Sequence, residues 1–87
     1  VNYRFAVECR ALDKLLTRAP SAQWSLYDLC AEIARQPFAE PDLLLSGGDQ
    51  HAVSVKVRGS ILVHYWVDHA TRCVNIIDFE LIDEDLV

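Results

Sequence analysis

Three residues of this 87-residue chain have the types and spacing to do chemistry together: Lys56, Arg58 and His64. Histidine is the side chain that most readily moves a proton near neutral pH. Lysine and arginine hold the negative charge that develops on a phosphate. On neighbouring strands of one hairpin they would form a candidate catalytic site for phosphate esters, with Lys56 and Arg58 stabilising charge and His64 moving the proton. The plainer reading makes all three ordinary solvent-facing residues. Other chemistries find less support. His51, His64, Asp68 and His69 are metal ligands by type, but His64 and His69 lie five residues apart across a turn rather than on one ledge. No His-Glu-x-x-His, Cys-x-x-Cys, nucleophile elbow or glycine-rich phosphate loop is present in the sequence. No cofactor is expected.

Strict alternation positions these residues. Val53, Val55 and Val57 alternate with Ser54, Lys56 and Arg58. Ile61, Val63, Tyr65 and Val67 alternate with Leu62, His64, Trp66 and Asp68, and a third run follows from Cys73 to Phe79. A period of two marks strands, and the short gaps between the runs mark an antiparallel meander. A two-residue loop at Gly59-Ser60 would set Lys56 against Val63 and mix the faces. A three-residue loop over Arg58-Gly59-Ser60 pairs Val57 with Ile61, Val55 with Val63 and Val53 with Tyr65, so the longer loop is expected. The second hairpin is expected to close over Asp68-His69-Ala70-Thr71, pairing Val67 with Arg72. The core face is then Val53, Val55, Val57, Ile61, Val63, Tyr65, Val74 and Ile76. The other face carries Lys56 and His64 beside Leu62, Trp66, Ile77 and Phe79, too much apolar surface to stay uncovered. Trp66 is the natural anchor there, because aromatic side chains dominate binding hot spots. Leu62, Ile77 and Phe79 complete a candidate partner-binding surface, unless the C-terminal tail covers it.

Ahead of the meander, Tyr3, Phe5 and Val7 alternate with Arg4, Ala6 and Glu8, a short strand that should join the later sheet. Ala11, Leu12, Leu15, Leu16 and Ala19 predict a helix over about 9–18, stopped by Pro20. A second helix is expected to start at Ser25, where Ser25-Leu-Tyr-Asp28 has the shape of a capping box. Its apolar stripe is Leu26, Leu29, Cys30, Ile33 and Ala34, and Pro37 ends it. Trp24 just ahead would staple against Leu29 or cover the gap between the helices. Leu43, Leu44 and Leu45 are too few to read as a strand, and Gly47-Gly48-Asp49 reads as a turn. The fold class is α+β in a single domain over 1–87: N-terminal strand, two helices, then a three-stranded antiparallel meander with the helices packed on one sheet face.

Composition narrows the setting. At 52% hydrophobic residues the chain is globular, and no apolar run has the length of a membrane span. The first residues of the sequence show no positive region followed by an apolar core and cleavage site, so no secretory signal is visible in them, and no membrane partner is expected. Cys9, Cys30 and Cys73 are odd in number and widely spaced, which argues against a disulfide framework and fits a reducing cytoplasm. A net charge of −5 disfavours broad RNA or ribosome binding; it leaves room for a local basic patch and favours a basic partner. Four of the last eight residues are acidic.

The order strand, helix, helix, meander resembles the RelE/ParE toxin superfamily. Phe5-Ala6-Val7 leads into the helix holding Ala11 and Leu15, and Ala34-Arg35-Gln36-Pro37 closes the second helix. Val55-Lys56-Val57-Arg58-Gly59, Ile61-Leu62-Val63-His64-Tyr65 and Val74-Asn75-Ile76-Ile77 follow as the meander. The resemblance spans about residues 3–80. It implies a small cytoplasmic toxin of a toxin–antitoxin module, neutralised by a co-encoded antitoxin. Some members are ribosome-dependent mRNA endoribonucleases and others poison gyrase. Toxins of this type are usually basic. Lys56 and Arg58 match the family's basic cluster in the first meander strand. Ile61-Leu62-Val63 lacks the arginine common in the second, and Asp78-Phe79-Glu80 stands where the last strand commonly ends in a basic residue. The resemblance therefore implies a reduced or lost basic site. The alternative is a non-enzymatic protein–protein interaction domain, self-associating or binding a basic antitoxin-like protein through the open sheet face.

Overall fold

The computed structural model describes residues 2–45 and 52–82. His51, the Gly47-Gly48-Asp49 turn and the acidic residues 83–85 lie outside them. In chain order the elements are β1 (Arg4–Val7), α1 (Cys9–Leu16), α2 (Pro20–Arg35), β2 (Leu43–Leu45), β3 (Val53–Arg58), β4 (Ile61–Asp68) and β5 (Cys73–Leu81). The strands form one sheet in the order β1-β5-β4-β3-β2. β1 runs parallel to β5, and the other neighbours are antiparallel. The α+β architecture is the one expected from the alternation.

Two expectations ahead of the meander fail for clear reasons. Pro20 does not only end the first helix; it is the first residue of the second, where its missing N–H costs no hydrogen bond and its fixed φ suits the helix. Ser25 and Asp28 therefore lie inside α2 and form no capping box. Trp24 belongs to the same helix, exposed, edge-on to Tyr27 rather than stapled to Leu29. The leucine triplet is also more than a connection. It pairs with Val53–Val55 of β3 as an edge strand, and the Asp42 carboxylate accepts the Val57 N–H beyond it.

The first hairpin takes the two-residue loop. Arg58 pairs with Ile61, Lys56 with Val63 and Val55 with His64. Gly59 has a φ of 60° and Ser60 does not, the pattern of a type II′ turn, whose twist matches that of the flanking strands. The price is that the β3 valines face away from the helices. Val55 is still buried on that side, so the mixing of faces costs less than the sequence pattern suggests. On the helix side Arg58 forms an ion pair with Glu32 of α2.

The second hairpin turns through His69 to Arg72, one residue later than expected, so that Asp68 pairs with Cys73 and Val67 with Val74 rather than with Arg72. Tyr65 opposes Ile76, but the next pair is His64 with Asp78, so the register shifts by one and Ile77 has no partner of its own on β4. This β-bulge inverts the remainder of β5. Phe79 then opposes Val63 and turns to the helices, where it is fully buried. The core comprises Ala11 from α1, Leu26, Leu29, Cys30, Ile33 and Ala34 from α2, and Ile61, Val63, Tyr65, Val74, Ile76 and Phe79 from the sheet. Phe5 and Val7 pack on its margin. This register predicts that Phe79→Ala lowers the unfolding free energy by about 3–5 kcal/mol. Val57→Ala, on the far face, should cost under about 1 kcal/mol. Urea melts of the two variants measure the difference, and equal losses would refute the bulge.

Candidate functional site

The register divides the expected catalytic set. Lys56 and Arg58 project to the helix side of β3. His64 projects to the opposite side of β4, beside Val55. Lys56 borders a narrow crevice with Glu32, Gln36, Glu40 and Tyr65. Arg58 is held by Glu32. His64 has carboxylates for neighbours: its Nε2 is 3.7 Å from Glu80 Oε2, makes no hydrogen bond, and Asp78 is its cross-strand partner. A phosphate held by Lys56 and Arg58 would therefore have the sheet between itself and the imidazole. Among the described residues no three of His, Cys, Asp and Glu are grouped to hold a metal.

The expected binding face is redrawn in the same way. Leu62 and Trp66 lie on the face away from the helices, both half-buried, and Ile77 is the extra residue of the bulge. Phe79 is corrected outright: the bulge carries it into the core, where it is inaccessible to a partner. The larger exposed apolar side chains lie elsewhere, on the helices at Leu16, Trp24 and Tyr27, at Phe38, and along β2.

One polar arrangement has no sequence signature, because its members are sixty-four residues apart. β1 covers β5 only as far as Ile76, whose carbonyl accepts the Glu8 N–H. Past that point Lys14 of α1 reaches over the open strand edge. Its Nζ donates to the Phe79 carbonyl at 2.7 Å and to Asp78 Oδ1 at 3.0 Å. The same carboxylate accepts the Phe79 N–H at 2.8 Å. Burial pushes the Asp78 carboxyl up, but the Lys14 hydrogen bond, the Phe79 N–H and the charges of Lys14 and His64 outweigh it. The group is held below its ordinary value of 3.8. A depressed carboxylate contributes stability that is present above its unfolded pKa and is lost as pH falls through the folded one. Asp78→Asn should therefore flatten the acid limb of the stability curve below about pH 4 and leave its alkaline side unchanged. The effect is modest, because the side chain is nearly half exposed. Urea midpoints measured from pH 2 to 7 check this.

The cysteines separate by environment. Cys9 is exposed, whereas Cys30 and Cys73 are buried, and burial pushes the Cys30 thiol up to about 12. Thiolate, not thiol, reacts. Iodoacetamide at pH 8 should modify Cys9 in the native protein and the other two only after unfolding, as counted by intact mass.

At the level of sequence, no protein-family model and no curated protein matches the chain. Solved structures do. The toxin–antitoxin complex RelBE2 of Mycobacterium tuberculosis contains a chain that superposes with a TM-score of 0.77 at 18% identity, over 93% of this chain and 92% of that one. The archaeal RelE–RelB complex of Pyrococcus horikoshii gives 0.73 at 13% identity, over 97% and 99%. A free double arginine-to-alanine mutant of the E. coli toxin RelE gives 0.71 at 21%, over 98% and 87%. Identities this low establish a common architecture, and it extends nearly end to end: the chain has the RelE/ParE toxin fold, in divergent form.

Proposed function

We propose that this protein is the toxin-like component of a cytoplasmic toxin–antitoxin module, with its nuclease chemistry reduced or lost, and that its partner is a basic antitoxin-like protein. The observation that carries this reading is the near-complete superposition on structures described as RelE and as RelB-bound complexes. The net charge of −5 supports a basic partner. Ribosome-dependent mRNA cleavage would run by attack of a 2′-hydroxyl on the adjacent phosphate, with Lys56 and Arg58 holding charge and His64 moving the proton. That scheme needs the three groups within reach of one phosphate. Their placement on two faces, with Arg58 committed to Glu32, speaks for a weakened site instead.

Two measurements test the proposal. In a reconstituted translation system, added protein should leave a reporter mRNA full length. Cleavage that disappears in the Lys56→Ala/Arg58→Ala double variant would restore the nuclease reading. Co-expression with a basic product of an adjacent small reading frame should give a complex on size exclusion. Failure to form it, together with self-association that Trp66→Ala abolishes, would replace the module by an interaction domain using the open sheet face.

A further inference from the structure

Three rings from three separate segments meet at the surface. Tyr3 precedes β1, Phe38 follows α2, and His69 begins the β4–β5 turn. Phe38 and His69 are stacked, with ring centroids 4.7 Å apart and planes inclined by only 10°. Tyr3 stands edge-on to both, at 5.9 Å and 5.6 Å. Its hydroxyl shares a 2.7 Å hydrogen bond with His69 Nδ1, which fixes the imidazole in the plane of the stack. Packing does not account for the cluster: Phe38 is 76% exposed. Beside it opens a cleft of about 430 Å³, bordered by Phe38, His69, Pro37, Pro41, Ser54 and Tyr65.

Arginines lie on the segments that carry the rings. Arg4 follows Tyr3 and donates its backbone N–H to the Arg72 carbonyl at 3.1 Å, while the alternation of β1 turns its side chain to the face opposite Tyr3 and Phe5. Arg35 closes α2, three residues before Phe38. All three arginines are exposed, and none forms an ion pair among the described residues. The Asp68 carboxylate, the acid of the turn, accepts the Ala70 and Thr71 N–H groups and so shapes the turn that presents His69 and Arg72. Arg72 itself has a φ of 57°, a left-handed conformation in which a side chain costs about 1–2 kcal/mol and glycine costs nothing. A strained arginine kept at an exposed turn points to a use for its guanidinium.

We infer that the Tyr3–Phe38–His69 stack, with Arg35 and Arg72 on the segments that carry Phe38 and His69, binds single-stranded nucleic acid. A flat exposed π-face takes an unstacked base, and flanking guanidinium groups take the phosphates on either side. A duplex buries the faces of its bases and cannot use such a platform. The acidic remainder of the chain confines the contact to this end and so to a few nucleotides. The inference goes beyond the toxin–antitoxin reading and does not depend on it: antitoxin capture and oligonucleotide binding can each fail without the other.

The experiment is fluorescence anisotropy with labelled eight-nucleotide oligoadenylate, as RNA and as DNA, across a salt series. Binding is expected, with log K falling by about 1.4 per tenfold rise in salt, as two phosphate contacts require. Whichever oligomer binds more tightly identifies the natural strand, and an unlabelled duplex should fail to compete. Phe38→Ala and His69→Ala should each weaken binding roughly tenfold, the loss of one stacked base. Arg72→Gly removes a charge while relieving the backbone, so it should weaken binding with an unchanged or raised melting temperature, which separates lost contact from lost fold. No anisotropy change at low salt overturns the inference. So does binding that ignores these variants and is lost in Lys56→Ala/Arg58→Ala, or a surface that captures a protein through Phe38 and no oligonucleotide.

Discussion

The pairing of β4 with β5, and the single unpaired residue Ile77 within it, is the constraint on which the remaining structure depends. Before the bulge, Val74 and Ile76 meet Val67 and Tyr65 on the helix side. After it the strand must continue against Val63 and Ile61, and the extra residue brings Phe79 and Leu81 to that side. Without the shift the carboxylates of Asp78 and Glu80 would face α1 and α2, and a phenylalanine would face outward. Unpaired charge under a helix layer is far more costly than one lost ladder pairing. The bulge therefore converts a β5 sequence that is apolar on alternating faces into one continuous core surface.

The same shift explains the clasp at the sheet edge. β1 is only four residues long and stops short of the bulge, leaving the Phe79 carbonyl on an open edge. An unpaired edge is a template for unwanted strands. α1 begins two residues after β1 and lies along this gap, so that Lys14 meets both the carbonyl and the Asp78 carboxylate. At the opposite edge Asp42 does a related task, its carboxylate taking the Val57 N–H just past the end of β2. A short strand and a polar side chain finish each side of the sheet.

The fold was readable because burial leaves a period in the sequence. Ile61 to Val67 alternate as a strand should, and Leu26 to Ala34 repeat as a helix should, and both elements stand where the pattern puts them. What could not be read was set by single residues without periodic weight. Pro20 fits the end of one helix and the start of the next equally well, and the helix geometry alone chose the second. The Gly59 turn placed the β3 valines on the outer face against the hydrophobic pattern, because Lys56 and Arg58 lie at the margin of the helix layer, where Glu32 and Glu40 receive them. The bulge at Ile77 has no mark in the sequence. From these two slips the expected catalytic trio was divided and Phe79 was lost as a binding residue. The aromatic stack was invisible for a different reason, since Tyr3, Phe38 and His69 are joined only by the folded topology.

Charge placement limits what this version of the fold can do. Eight cations and thirteen carboxylates leave the chain at −5, so no broad positive field draws in a polyanion. On the helix side of β3 the cations are matched locally: Glu32 takes Arg58, and Glu32 and Glu40 flank Lys56. A cation already paired with a fixed carboxylate stabilises a developing phosphate charge less, because approach of the phosphate must first displace that carboxylate or accept its repulsion. His64 lies on the face opposite Lys56 and Arg58, beside Asp78 and Glu80. At the other end of the molecule Arg4, Arg35 and Arg72 form no ion pair among the described residues, and the Asp68 carboxylate accepts two backbone N–H groups of its turn. Electrostatics thus sets the two regions apart: on the helix side of β3 a phosphate must compete with Glu32, whereas at the Arg72 turn no ion pair among the described residues stands in its way.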